Sequence, residues 1–121
     1  MLKIPENVKD AVAKVKLPSD QRFGKAVLPY ACVSDFKDGK WGPLSLKHDN
    51  DMLVSAASPA VQYAQSIFEG MKAFKVTQDT PQIFRAYDHA KRFNISGARM
   101  CIPPVPEDIF ISAVKTIAAL Y

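Results

Sequence analysis

The feature that most constrains this chain is a change in the spacing of its apolar residues near Arg85. Before that point short β-rich runs alternate with turn residues, and after it apolar residues recur at helical spacing. One helical face beyond the change consists of Ala90, Phe93, Gly97, Met100 and Cys101. A second face, after three prolines, consists of Phe110, Ala113, Val114, Ile117 and Tyr121. Strands followed by two helices predict an α+β domain, with an antiparallel sheet covered by helices mainly on one face.

Two hairpins are predicted before the helices. The dipeptide Asp38-Gly39 stands between β-rich runs and supplies the residues that a tight hairpin turn requires. A second turn at residues 78–81 separates a strand at 71–76 from its antiparallel partner at 82–85. This second hairpin is expected to deliver Arg85 at the end of a strand, with Asp88 capping the helix that follows.

The start of the chain differs from the rest. Between Pro5 and Pro18, apolar residues recur at helical spacing, which predicts a short helix within an N-terminal extension of residues 1–18. Residues 19–121 then form the α+β domain. A length of 121 residues with 23% charged residues is typical of one globular domain.

Charge and hydropathy exclude several kinds of partner. The net charge of +4 comes from scattered lysines and arginines, without the basic run interleaved with aromatics that nucleic-acid binding favours. Apolar runs fall short of the ~20 residues of a membrane helix, so we expect no membrane and a cytoplasmic location. His48 and His89 lack the neighbours of a metal site, and no metal is expected.

Arg85 is the residue best suited to holding an anion. A planar guanidinium on a rigid base can grip a phosphate through two parallel hydrogen bonds, although an arginine after a strand is more often a solvated residue or a partner for a carboxylate such as Asp88. Tyr63 and Phe68 flank a predicted helical turn ending at Gly70, and together they could wall an apolar pocket or simply pack in the core. For Glu69 a capping or pairing role is favoured over acid catalysis.

From Gln21 to Leu120 the order of phrases resembles the branched-chain amino acid aminotransferases, pyridoxal phosphate (PLP) enzymes of fold type IV. The phrases are RFGK, DGKW, LSL, YAQSIFEGMKAF, IFR and SGARMCIP. The resemblance implies that Arg85 binds the 5′-phosphate of PLP. It also implies that Tyr63, Phe68 and Gly70 line the pocket for the substrate side chain.

The resemblance further implies a function for the whole enzyme. Such enzymes move the amino group of leucine, isoleucine or valine to 2-oxoglutarate, as homodimers that share pocket lining across the interface. This chain resembles their small N-terminal domain, and the C-terminal cofactor-binding domain with its Schiff-base lysine should lie beyond Tyr121. We therefore expect no catalytic residue in this chain, and no activity from it alone. Gln62 and Ala64 depart from the histidine and glycine usual in the family.

Three alternatives remain at this point. A D-amino acid aminotransferase or an aminodeoxychorismate lyase of the same fold type could share the FEG phrase and the arginine. A non-catalytic binding or assembly domain is a different class. A reading frame that continues into a lysine-bearing second domain would separate the enzymes from the last alternative.

Overall fold

The computed structural model describes residues 2–16, 18–20, 22, 24–74 and 81–121. Its elements in chain order are α1 (Glu6–Ala13), β1 (Tyr30–Val33), β2 (Phe36–Lys37), β3 (Lys40–Trp41), β4 (Ser45–His48), a 3-10 helix (Asp49–Asp51), α2 (Pro59–Tyr63), β5 (Ala73–Phe74), β6 (Gln82–Ile83), α3 (Ala86–Arg99) and α4 (Glu107–Leu120). Helices and antiparallel strands are both present, so the predicted α+β class is confirmed.

The first four strands form one long, interrupted hairpin. At its tip β2 pairs with β3 through Asp38 and Gly39, whose positive φ angles of 51° and 78° suit a tight turn and confirm the predicted one. Below the tip the Gly42 N–H donates to the Asp35 carbonyl at 2.8 Å, and β1 then pairs with β4. The interruption lies where Gly42-Pro43 breaks the ladder.

The expected single sheet is not present in the described residues. The strands instead form three two-stranded sheets: β1 with β4, β2 with β3, and β5 with β6. Each strand is two to four residues long, so no pair presents a continuous edge to the next. β5 and β6 pair antiparallel as predicted, whereas their predicted turn residues Gln78, Asp79 and Thr80 lie outside the described residues.

The helices α3 and α4 hold most of the buried apolar residues. Their facing rings, Phe93 and Phe110, have centroids 5.3 Å apart. Asn94 fixes the connection between them, because its side chain both donates to and accepts from the backbone of Val105 at 2.8 Å. α4 also packs against β1, and it buries Ile111, Thr116 and Leu120 more fully than the predicted face.

That difference arises because α4 is covered on a second side by the start of the chain. The Leu2 N–H donates to the fully buried Thr116 Oγ1 at 3.0 Å, and Thr116 in turn donates to the Ser112 carbonyl. Val8 of α1 is buried, which confirms a short amphipathic helix in residues 1–18. Within the described residues, no helix has the length and apolar character needed to cross a membrane.

Candidate functional site

Arg85 lies at the N-terminal end of α3 and is not part of a strand. β6 ends at Ile83, and Arg85 occupies the N-cap position with left-handed backbone angles, φ 52° and ψ 41°. The expected strand end is therefore wrong by two residues, because the chain must reverse direction to enter the helix. Asp88 is likewise not the cap: it stands in the first turn and accepts a 2.7 Å hydrogen bond from Arg85 Nε.

This pair leaves one edge of the guanidinium available. In the described structure only Nε of Arg85 is engaged, and the side chain is 64% exposed. The same hydrogen bond lowers the pKa of Asp88, so the carboxylate stays charged and orients the arginine. A left-handed N-cap without glycine costs on the order of 1 kcal/mol, and such strain is commonly found at functional sites.

Tyr63 ends the short helix α2 and is 83% exposed. Ala64 follows it in left-handed conformation, φ 52° and ψ 31°, so the helix stops there. The predicted helical turn running to Gly70 is therefore wrong: helix precedes Tyr63 and non-helical chain follows it. Left-handed angles favour glycine, and here alanine adopts them.

Residues 65–70, the extended segment, run along α3 toward its N-terminus with alternate side chains turned to the helix. Gln65 Nε2 donates to the Met100 carbonyl at 2.6 Å, near the end of α3. Ile67 lies beside Gly97, where a built Cβ would stand 3.5 Å from Ile67 Cδ1. Burial alternates along the segment: residues 65, 67 and 69 are partly buried, and residues 66, 68 and 70 are exposed. The segment therefore has the two-residue period of a strand, although it packs on a helix.

Phe68 and Gly70 are on the exposed side of this segment. Phe68 is 72% exposed, and its ring lies against Gly70, where a built Cβ would come within 3.4 Å of Phe68 Cε1. Gly70 thus leaves room for the Phe68 ring, and its own φ angle is not positive. Core packing, the alternative explanation for Tyr63 and Phe68, does not describe either residue in this chain.

Glu69 is an enclosed carboxylate with two basic partners. Its carboxylate is 4% exposed and accepts from Arg92 Nε at 2.7 Å, with a second hydrogen bond from Arg92 Nη2. His89 Nδ1 lies 2.7 Å from Glu69 Oε1. Arg92, and to a lesser extent His89, holds the pKa of Glu69 at about 2, against an ordinary 4.5. The pairing role expected for Glu69 is confirmed.

The sequence interpretation missed Arg92 and His89 as partners. A usable signal exists, since Arg85, His89 and Arg92 stand at i, i+4 and i+7 and form a basic stripe along α3. Those three residues, with Phe84 and Asp88, line an open groove of about 330 Å³. Tyr63, Phe68 and Gly70 are not among the described residues that line it. The structure therefore brings Phe68 and Gly70 together, but it does not unite them with Arg85 in one groove.

Comparison with known proteins gives consistent relatives. No family model matches the chain. It is 33% identical to a branched-chain-amino-acid aminotransferase of Helicobacter pylori over 70% of the chain and 25% of that protein. The Haemophilus influenzae enzyme of the same name is 32% identical, over 73% of the chain and 26% of the relative. Branched-chain-amino-acid transaminase 1 of Bacillus subtilis is 30% identical over 99% of the chain and 34% of its own length.

These relatives are three to four times longer than the matched part, so the chain spans about a quarter to a third of their length. The similarity nevertheless covers most of this chain, and each of the three relatives carries the same activity in its name. By sequence, the chain is therefore similar over most of its length to one part of the branched-chain aminotransferases.

Proposed function

We propose that this chain is the N-terminal part of a PLP-dependent aminotransferase of fold type IV. The complete enzyme would transfer the amino group of leucine, isoleucine or valine to 2-oxoglutarate. Its second domain would carry the Schiff-base lysine, so this chain would contribute binding residues and no catalytic one. The supports are the similarity to branched-chain aminotransferases over most of this chain and the α+β architecture of the described residues.

The observation that carries the proposal is the state of Arg85. Its Nε is held by Asp88 at 2.7 Å, while its terminal nitrogens have no partner among the described residues. A guanidinium oriented in this way can donate two parallel hydrogen bonds to a phosphate. The N-terminus of the 14-residue helix α3 adds favourable electrostatics for an anion beside it.

These residues fit the phosphate end of PLP. Arg85 would hold the 5′-phosphate in a groove that His89 and Arg92 also line. When bound, PLP supplies the electron sink that allows an amino acid to lose its α-proton and pass on its amino group. The contribution of this chain is to hold that cofactor at one end, because affinity for the phosphate limits how far the reactive end can move.

The substrate side of the proposal rests on Tyr63, Phe68 and Gly70. Tyr63 and Phe68 expose large apolar surfaces in this chain, and the space beside Gly70 is taken by the Phe68 ring. An aliphatic side chain such as that of leucine would gain contact area against such a wall. A homodimer belongs to the same proposal, because a second copy would cover these exposed rings.

The test uses the complete reading frame that contains this chain. The purified product should contain PLP and should convert leucine and 2-oxoglutarate to glutamate and the 2-oxo acid of leucine, while the 121-residue chain alone with added PLP should remain inactive. D-Alanine and aminodeoxychorismate serve as competing substrates that separate the other enzymes of this fold type. A complete protein that retains no PLP, or that prefers D-alanine, would refute the proposed function.

A further inference from the structure

The extended segment, residues 65–70, is attached to α3 at both ends and in the middle. Gln65 reaches the Met100 carbonyl near the end of α3, and Ile67 packs beside Gly97. Glu69 is then bound by Arg92 and His89, two turns and one turn beyond Arg85. The attachment at Glu69 is the one made by charged groups, and it adjoins both Phe68 and Gly70 in sequence.

Side chains alternate along the extended segment, so the attachment at Glu69 determines the side on which Phe68 stands. Successive residues of extended chain point to opposite sides, so the side on which Phe68 stands is set by the side to which Glu69 is bound. Glu69 is 4% exposed, and its carboxylate accepts from both Arg92 and His89, which fixes its direction as well as its distance. A slip of one residue would turn Phe68 toward α3.

We propose that Glu69 is a positioning residue for the substrate pocket. Bound to Arg92 and His89, it fixes the exposed faces of Phe68 and Gly70 relative to α3, the helix that begins at Arg85. The substrate wall formed by Phe68 and Gly70 and the phosphate-binding Arg85 are thereby both held by α3. This inference rests on the proposed function, since it assigns Glu69 to the same site.

The first measurement tests the attachment without any activity. Chymotrypsin cleaves after exposed aromatic residues that can open locally, so cleavage after Phe68 reports release of the segment. Arg92→Gln removes the main partner of Glu69 and leaves the cleaved peptide bond unchanged. We expect cleavage after Phe68 to accelerate by at least about threefold relative to cleavage after Phe36 in the same molecule.

Arg22→Gln is the matched control, because Arg22 makes a similar two-bond pair with Asp20, at 3.0 Å and 2.8 Å, in an exposed position. It should leave the ratio of the two cleavages unchanged. If Arg92→Gln also leaves the ratio unchanged, the segment is held by other contacts and the inference is wrong.

The second measurement tests positioning in the complete enzyme. Glu69→Gln should lower kcat/KM for leucine by roughly tenfold to a hundredfold, because small displacements of a positioned group are costly. The loss for glutamate and the change in PLP affinity should be clearly smaller. The double variant Glu69→Gln/Arg92→Gln should be no worse than the more impaired single variant, because the two substitutions remove the same interaction.

An equal loss for leucine and glutamate, or additive losses in the double variant, would overturn the positioning role while the proposed function stands. A wild-type enzyme without PLP or transaminase activity would instead refute the proposed function, and the role of Glu69 with it.

Discussion

Two arginine–carboxylate pairs have their arginines seven positions apart, at the N-cap and within α3, and differ in the exposure of the carboxylate. Arg85 and Asp88 form an open pair, with side chains 64% and 53% exposed. Arg92 and Glu69 form the enclosed pair, named for its carboxylate: Glu69 is 4% exposed and also contacts His89, whereas Arg92 is 64% exposed. Exposed ion pairs contribute little to stability, whereas an enclosed carboxylate depends on its partners.

The difference separates two uses of the same chemistry. The open pair joins residues three positions apart in sequence, so it organises little beyond the first turn of α3. The enclosed pair joins residues 23 positions apart and ties the extended segment to the helix. Arg85 can therefore take a ligand through its terminal nitrogens, while Arg92 is occupied in holding Glu69 and the extended segment.

The largest expected effect is on stability through the enclosed pair. Glu69→Ala removes the acceptor of several charge-assisted hydrogen bonds and should lower the free energy of unfolding by about 1.5–3 kcal/mol. Denaturant titration of the 121-residue chain measures this directly. Asp20→Ala, which removes the exposed pair with Arg22, is the control and should cost less than about 1 kcal/mol. Equal costs would erase the distinction between enclosed and open pairs.

Phe68→Ala tests the role of the exposed face of the extended segment separately from that of the face attached to α3. In the complete enzyme, loss of an apolar wall should reduce kcat/KM for leucine by the equivalent of about 1–3 kcal/mol, and more than for glutamate. In the 121-residue chain, stability should change less than in Glu69→Ala, because the ring is 72% exposed there. PLP content is checked by absorbance, and a fall of the same factor for both substrates would make Phe68 a structural residue.

The contribution of the Glu69 carboxylate to stability should be lost at low pH. Because the folded-state pKa of Glu69 is about 2, below an ordinary 4.5, its contribution to stability is complete above pH 4.5. It is then lost progressively as the pH falls toward 2. The stability difference between wild type and Glu69→Gln should accordingly shrink as the pH falls from about 4.5 toward 2. A difference that does not change down to pH 2 would contradict the assignment.

The smallest effect is expected at the open pair. Asp88→Ala should change the free energy of unfolding by less than about 1 kcal/mol, since both side chains are largely solvated. Thermal and denaturant unfolding of the chain provide the measurement. A loss as large as that of Glu69→Ala would show that the first turn of α3 is as integral to the fold as the enclosed cluster.

Sequence patterns predicted the parts of this fold that depend on neighbouring residues. The helices α3 and α4 follow from their apolar spacing, and the Asp38-Gly39 turn follows from residues that accept positive φ angles. Both signals act over a few residues, so they can be recognised without knowledge of tertiary contacts.

The extended segment could not be predicted in the same way. Its partner surface is α3, and Gln65 contacts a carbonyl 35 residues away. The inward positions are glutamine, isoleucine and glutamate, a mixture that has no apolar alternation to recognise. The left-handed N-cap at Arg85 was missed for a related reason, because arginine has no local preference for that conformation.

The central claim, that Arg85 holds the phosphate of PLP, is tested most directly by comparing two ligands. Apoenzyme of the complete protein, wild type and Arg85→Ala, is titrated with PLP and with pyridoxal, which lacks the phosphate. Loss of a charge-assisted contact worth about 1.5–3 kcal/mol should weaken PLP binding by roughly one to two decades. Pyridoxal binding should be nearly the same in both proteins, so that the preference for PLP collapses in the variant. An unchanged ratio of the two dissociation constants would contradict the assignment of Arg85.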